Sequence, residues 1–468
     1  MRATYVAVLA AALSACTAVG PDYMPPAGPA VHTDTFEAAG SAALSADPLP
    51  PHWWRLYDDA RLDALVEEAL HVNTDLRIAL ANLERARAEV DEVNAAYGVQ
   101  PDVEAGVSVG QASTLGISRP AGTHGVVSAG VGIAYEVDVA GRIRRTLESA
   151  QASALARQAA YELAQVTVAA GVVAAYTDAC SAGARLKVAR ESVALQRQSL
   201  TLTARGVSAG VYSSRDASRS QALLAQLEAV VPPLEGARRT ALYSLAVLTG
   251  HAPSDYPQVL AQCETIPALT QPMPVGNSAG MLRRRPDLRR AERELAAATA
   301  RIGVETAGLY PTITLAASIG TTFRTGGEPF SGSAFQYGLG PVISWTFPNQ
   351  KVARARIDEA GAAARAALAQ FDGAVLNALR ETESALTLYV RHIEENDHLR
   401  QARDASLAAA RLQQRLAAGG TVSSLERLDM ERALAIAQGA VAASDATLAS
   451  DRVRIFLALG GGWESAGD

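Results

Sequence analysis

The chain has 468 residues, almost half of them hydrophobic and only 19% charged, with a formal net charge of −6 at pH 7. That length allows a large core and more than one domain, and the acidic balance gives nucleic-acid binding no electrostatic support. Three cysteines are too few for a disulfide scaffold.

The first residues run MRATYVAVLAAALSACTAVGPDY. Arg2 precedes an apolar run at 6–13, much shorter than the ~20 residues a membrane-spanning helix needs. Small residues close the run, which makes 1–15 a secretory signal peptide. Leu13-Ser14-Ala15-Cys16 resembles a bacterial lipobox, in which Cys16 becomes the first mature residue and carries acyl chains. Thr17, standing where an acidic residue would retain the protein in the inner membrane, points outward. Residues 16–60 then read as a lipidated, extended segment. Nothing after residue 16 reads as a transmembrane helix, so any later membrane crossing must use strands. Cys180 reads as a buried helical residue and Cys263 as a loop residue; they could pair after export, but two free thiols is the expected state.

Prolines map the organisation. None occurs between 121 and 231 or between 349 and 468, and proline breaks helix interiors, so long helices belong in these tracts. Residues 143–205 could form one helix ~95 Å long, too long for a compact globule. Pro232-Pro233 fall within the next helical stretch and predict a kink or break at Val231.

The chain also repeats itself at an offset of about 210 residues. Pro101 matches Pro311, Gly210 matches Gly420, Ser213-Ser214 match Ser423-Ser424, Glu84 matches Glu294 and Tyr161 matches Phe371. Asp75-Leu76-Arg77 matches Asp287-Leu288-Arg289 with a two-residue slip. The expected units are 61–280, with strands 102–110 and 127–138, a helical hairpin 142–249 and a further segment 250–280, and 281–468, with strands 312–323 and 335–347 and a hairpin 350–458.

The strand segments alternate cleanly. In 127–138, Val127, Ala129, Val131, Ile133, Tyr135 and Val137 share one face, while the other is small or polar. In 335–347 the apolar face is Phe335, Tyr337, Leu339, Ile343, Trp345 and Phe347. Runs of ~10 residues, aromatics toward strand ends and glycine-rich opposite faces suit a barrel in lipid. The links 111–126 and 324–333 would be its external loops. Four strands cannot close such a barrel, because closed membrane barrels begin at ~8 strands, and open edges are not tolerated in hydrocarbon. Strands that cross a membrane here must therefore belong to an oligomer sharing one barrel. The long helices, dotted with Arg, Glu and Gln, must lie outside the membrane.

Several motifs converge at this point: CTAVGPDY at 16–23, the pair Trp53-Trp54, YEVDVAGRIRR at 135–145, RRPDLRRAERELAAATARIGVETAGLYPTITL at 284–315 and GPVISWTFP at 340–348. Over nearly its whole mature length the chain resembles outer-membrane efflux channels of the TolC/OprM type, in the lipoprotein branch that serves resistance-nodulation-division pumps. The resemblance implies a mixed α and β fold: a homotrimer with a twelve-strand β-barrel, four strands per chain, above a long periplasmic α-helical barrel. A mixed belt would come from 250–283 and the C-terminal part. It implies an inner-membrane pump and a periplasmic adaptor as partners, contact with outer-membrane lipid, and no cofactor beyond the lipid on Cys16. The chain departs from the family at Val139-Ala140-Gly141 and at Pro348-Asn349-Gln350-Lys351, both strand-to-helix junctions.

The family's periplasmic entrance corresponds to 417–434, AAGGTVSSLERLDMERAL, where Glu426 and Asp429 match its acidic ring. Their i, i+3 spacing puts both on one helix face, so symmetric copies would gather carboxylates at a constriction and favour cations. The plainer alternative is a solvated face with both acids paired to Arg427 or Arg432. Asp216 and Arg219, their first-repeat counterparts, are mixed in sign. The Gly-rich tips, with Gly206, Gly210, Gly419 and Gly420, are the expected adaptor-docking points. Enzymatic readings fail: no HExxH, CxxC pair, P-loop or nucleophile elbow is present, and His392 and His398 fall on different helix faces. Arg283-Arg284-Arg285-Pro286-Asp287 reads as a helix start with structural ion pairs. Type I protein secretion is the alternative conduit. A periplasmic adaptor would lack the duplicated unit, and a coiled-coil lipoprotein would not explain the strands.

Overall fold

The structure, a computed structural model, describes residues 18–26, 35–110, 123–347, 350–418 and 424–461. Cys16, Gly419, Gly420 and the junction residues 348–349 lie outside them. The chain divides into two units, one from Met1–Ala27, Asn82–Gln158 and Arg290–Asp372, the other from Gly28–Ala81, Ala159–Arg289 and Gly373–Asp468. In chain order the elements are α1 (Ala60–Val72), α2 (Thr74–Ala96), β1 (Gln100–Gly110), β2 (His124–Val137), α3 (Arg142–Ser208), α4 (Ser214–Glu228), α5 (Val231–Leu248), α6 (Ser278–Arg284), α7 (Pro286–Ala307), β3 (Thr312–Arg324), β4 (Phe335–Ser344), α8 (Lys351–Ala418) and α9 (Ser424–Ala458).

The first unit holds an antiparallel sheet in the order β1-β2-β3-β4. Its register aligns the apolar residues in continuous rows: Val103 faces Val131, which faces Ile319, which faces Tyr337. A parallel row on the opposite face runs Asp102, Gly132, Ser318, Gly338. The period-two pattern thus separates an aliphatic and aromatic face from a small, polar one. The apolar face is uncovered: Val103 is 79% exposed, Tyr337 81% and Leu339 87%, which is the burial of a surface that meets something other than water. Strand β4 ends at Ser344, three residues before the alternation ends. Trp345 there turns its Nε1 onto the Leu309 carbonyl at 3.1 Å and stacks on Phe347.

In the same unit the N-terminal VGPDY segment is bound residue by residue. The Val19 amide donates to the Ala140 carbonyl at 3.0 Å. The buried Arg145 guanidinium donates to the Val19 carbonyl and pairs with Asp22 at 2.7 Å and Glu148 at 2.7 Å. Tyr23 donates to Glu292 at 3.0 Å. At the β2–α3 junction Asp138 accepts from the amides of Ile143 and Arg144, capping α3. Gly141, at φ +76°, turns the chain against Ala18 where any side chain would collide.

The second unit carries the main core. Trp53 and Trp54 are fully buried, and Trp53 stacks on Phe456 with centroids 4.3 Å apart. Around them pack Leu62 and Val66 of α1, Val172, Val173 and Tyr176 of α3, Leu242 and Leu245 of α5, and Met281 of α6. A two-residue parallel pairing joins Leu44–Ser45 to Met273–Pro274. Asp59 starts α1 by accepting from the Arg61 amide, while its other oxygen accepts from the Tyr176 hydroxyl at 2.6 Å. The helix expected to kink at Val231 breaks at Ala229 and Val230, placing Pro232 and Pro233 in the first turn of α5. Missing N–H groups cost nothing there.

Two expectations are corrected. Cys180 and Cys263 are joined as a disulfide across 83 residues. Helical placement and loop placement do not forbid pairing, because Gly183, one turn beyond Cys180, leaves room for the Cys263 backbone to lie on α3. Second, α3 is long and apolar enough to cross a membrane by composition, but 61% of its most apolar window is buried, as in a core helix. The Arg283–Asp287 cluster is structural: Arg285 pairs with Asp287 at 2.7 Å and Glu381 at 3.1 Å and donates to the Ala458 carbonyl, and Pro286 opens α7.

Candidate functional site

The tips of the helical hairpins lie in the second unit. At the first, α3 closes through a turn in which the Gly206 carbonyl accepts from the amides of Val211 and Tyr212 at 2.8 and 3.2 Å. The Tyr212 ring lies over Gly206, in space a Cβ would fill. Gly210 holds φ +72°, closed to most side chains. Ser213 then starts α4 with a reciprocal capping box to Asp216. That engages the Asp216 carboxylate at the helix end.

At the second tip α9 begins with Ser424. Glu426 and Asp429 are both exposed, about 60° apart on the helix surface. The opposite face of α9 packs on α3. Arg427 donates to the Thr203 hydroxyl at 3.0 Å, and Ser199 donates to Glu431 at 2.9 Å. Leu428 is buried beside them. Arg427 is thus engaged by α3. Burial pushes the Glu431 carboxyl above the ordinary glutamate range; the Ser199 bond and the Arg427 charge pull it back only in part. Below this contact Gln196 donates to Ser220 at 3.0 Å, joining α3 to α4. A cleft of about 310 Å³ opens alongside, lined by residues that include Gln196, Leu202, Gln413, Met430 and Leu434.

The structure therefore places Glu426 and Asp429 on one exposed face and Gly206 and Gly210 in one turn. Thr203, Ser199 and Glu431 escaped the sequence reading, and Arg427 entered it only as a possible partner of the acidic pair. Their signal was a charged residue set among Leu428, Met430 and Leu434, where the helical period calls for an apolar side chain. Among the described residues no group of three His, Cys, Asp or Glu could hold a metal ion.

A sheet with an uncovered apolar face, joined in sequence to helical hairpins of this length and duplicated along the chain, defines the class. The family model for the outer membrane efflux protein matches residues 65–251 and 279–461, and the chain belongs to that family. The Nodulation protein T of Rhizobium leguminosarum bv. viciae is 29% identical over 98% of this chain and 93% of its own length. The probable efflux pump outer membrane protein TtgC of Pseudomonas putida is 29% identical over 98% and 95%. Among solved structures, the outer-membrane channel OprN superposes with a TM-score of 0.89 at 35% identity, covering 96% of this chain and 100% of that one. The protein is an outer-membrane efflux channel.

Proposed function

We propose that three copies of this chain share one twelve-strand barrel in the outer membrane and form a continuous export conduit. It would carry small toxic molecules received from an inner-membrane pump of the resistance-nodulation-division type through a periplasmic adaptor, with no chemical step of its own. The observation that carries this reading is the four-stranded sheet, whose strands of ten to fourteen residues suit a bilayer crossing. Its apolar face is exposed, and its edge strands β1 and β4 have one neighbour each. In hydrocarbon those edges must be paired, and other copies of the same chain supply the pairs. The substrate class rests on relatives such as TtgC, named as an efflux pump component.

The tips 206–214 and 418–424, with Gly206, Gly210, Gly419 and Gly420, are the proposed adaptor-docking points. Glu426 and Asp429, repeated by symmetry, form the proposed cation-favouring constriction at the periplasmic entrance. Cys16 carries the proposed lipid; the docking of Val19 to Tyr23 beside the β2–α3 junction supports an anchor at the sheet's helical end. The test is conductance of the purified full-length protein in planar bilayers together with its native mass. The expected result is a trimer forming cation-preferring channels; a monomer, or a failure to conduct, overturns the conduit.

A further inference from the structure

We propose that the cleft between α3, α4, α8 and α9 binds amphipathic organic cations, molecules with a primary ammonium on an apolar body. All its walls come from one chain, so the site is independent of the shared-barrel reading. Its volume of about 310 Å³ lies in the range of small-molecule sites. Leu202 of α3, Leu227 of α4, and Met430 and Leu434 of α9 supply apolar walls. Unbranched Met430 can reshape around different bodies, which suits a class of ligand rather than a single one. The polar side chains at the α3–α9 contact then decide what that body must carry.

Two acceptors are left over there. Gln196, 3% exposed, gives its amide nitrogen to the Ser220 hydroxyl at 3.0 Å and the Ser220 carbonyl at 3.2 Å. Its side-chain carbonyl oxygen keeps its acceptor capacity. Glu431 takes the Ser199 hydroxyl on Oε2 at 2.9 Å, and its Oε1 is the second acceptor. Among the described residues no donor hydrogen-bonds to either oxygen. Both side chains line the cleft. They meet there because Gln196 and Ser199, the partner of Glu431, share one face of α3 at i, i+3. Arg427 lines the cleft as well, but a terminal nitrogen goes to Thr203 and its Nε is buried. Burial raises the Glu431 carboxyl, and Ser199 and Arg427 offset that only in part, so the cleft is short of positive charge. A primary ammonium has three donors and no acceptor. It answers both oxygens at once, whereas a carboxylate or sulfonate would set further acceptors against them. An ammonium so held bridges α3 to α9, and an uncharged molecule gains only the apolar contact.

The test is equilibrium dialysis of naphthylethylamine against the full-length protein in lipid nanodiscs, with empty nanodiscs subtracting partition into lipid. Naphthylethanol, its neutral counterpart, is measured in parallel. The amine is expected to bind saturably, once per chain, and at least about tenfold more tightly than the alcohol. Glu431→Gln keeps the shape and the acceptor for Ser199, and is expected to remove that preference. Leu202→Trp, at an exposed position with room for a larger side chain, fills the cleft and should weaken both probes alike. Saturating amine should also slow hydrogen exchange of the α9 amides near 427–434, which binding elsewhere would leave unmoved. The absence of saturable amine binding, or of that protection, overturns the site. Equal binding of amine and alcohol, or a preference that survives Glu431→Gln, overturns the ammonium assignment. Binding indifferent to Leu202→Trp overturns the location. Conductance and native mass of the ligand-free protein bear on the conduit alone, so neither reading falls with the other.

Discussion

Gly20 and Gly303 meet backbone against backbone: a Cβ added to Gly20 would stand 2.5 Å from the Gly303 Cα. Gly20 also holds φ +89°, a conformation L side chains rarely adopt. The contact lays the N-terminal segment on α7 with no side chain between them. Gly303→Ala would push a methyl group to 2.7 Å from the Arg145 Cγ, displacing the side chain that holds Val19 and Asp22. We expect a loss of about 1–3 kcal/mol from such overpacking, read as early proteolytic release of the N-terminal segment. Unchanged protease resistance in both Gly20→Ala and Gly303→Ala would show that the segment is held elsewhere.

The Cys180–Cys263 bond closes an 83-residue loop, which corresponds to about 4.5 kcal/mol in the loop-closure picture. The double variant Cys180→Ser/Cys263→Ser should lower the thermal midpoint of the second unit, and dithiothreitol should do the same to the native protein. Gly183→Ala should act in the same direction by crowding the Cys263 carbonyl. A midpoint indifferent to reductant would mean the thiols are unpaired in the cell.

Burial raises the Glu431 carboxyl in the folded protein above its unfolded value. The sign follows: the protonated form is favoured by folding, so this site stabilises fully below the ordinary glutamate range. That contribution is lost as pH rises through the elevated folded value. Hydrogen exchange of α9 amides near 427–434 should therefore quicken across that window, and Glu431→Gln should flatten the response. Arg427→Ala removes the nearby positive charge and should move the transition to higher pH; a transition that stays put would assign it to another group.

The exposed pair Glu426 and Asp429 should govern ion preference without governing assembly. In planar bilayers the Glu426→Ala/Asp429→Ala variant should lose most of its cation preference while its native mass is unchanged. An unaltered reversal potential would remove the acidic constriction from the account and leave the conduit standing.

Cys16→Ala should abolish incorporation of labelled acyl chains yet leave the protein in outer-membrane fractions, because the proposed shared barrel would supply the larger membrane contact. Persistent acyl label in that variant would place the lipid on another residue.

Much of this fold was legible because it is written in local periods. Alternation at every second residue in 127–137 and 312–323 sets both the strands and their faces, and the register then had only to align rows already sorted. The absence of proline from 143–208 permits α3, and Pro232-Pro233 stop the following helix where the backbone can spare two donors. The shared exposed face of Glu426 and Asp429 was legible too, since i, i+3 spacing puts both on one side of the helix whatever surrounds them.

Partners were not legible. Ser199 and Glu431 lie 232 positions apart, and Thr203 and Arg427 lie 224. No period in either segment names the other. The same holds for Cys180 with Cys263 and for Gly20 with Gly303. Periodicity determines which way a side chain points, a property of one element's backbone. Which side chain it meets depends on how separate elements pack, and a buried charge or an absent Cβ acquires its meaning only from that neighbour.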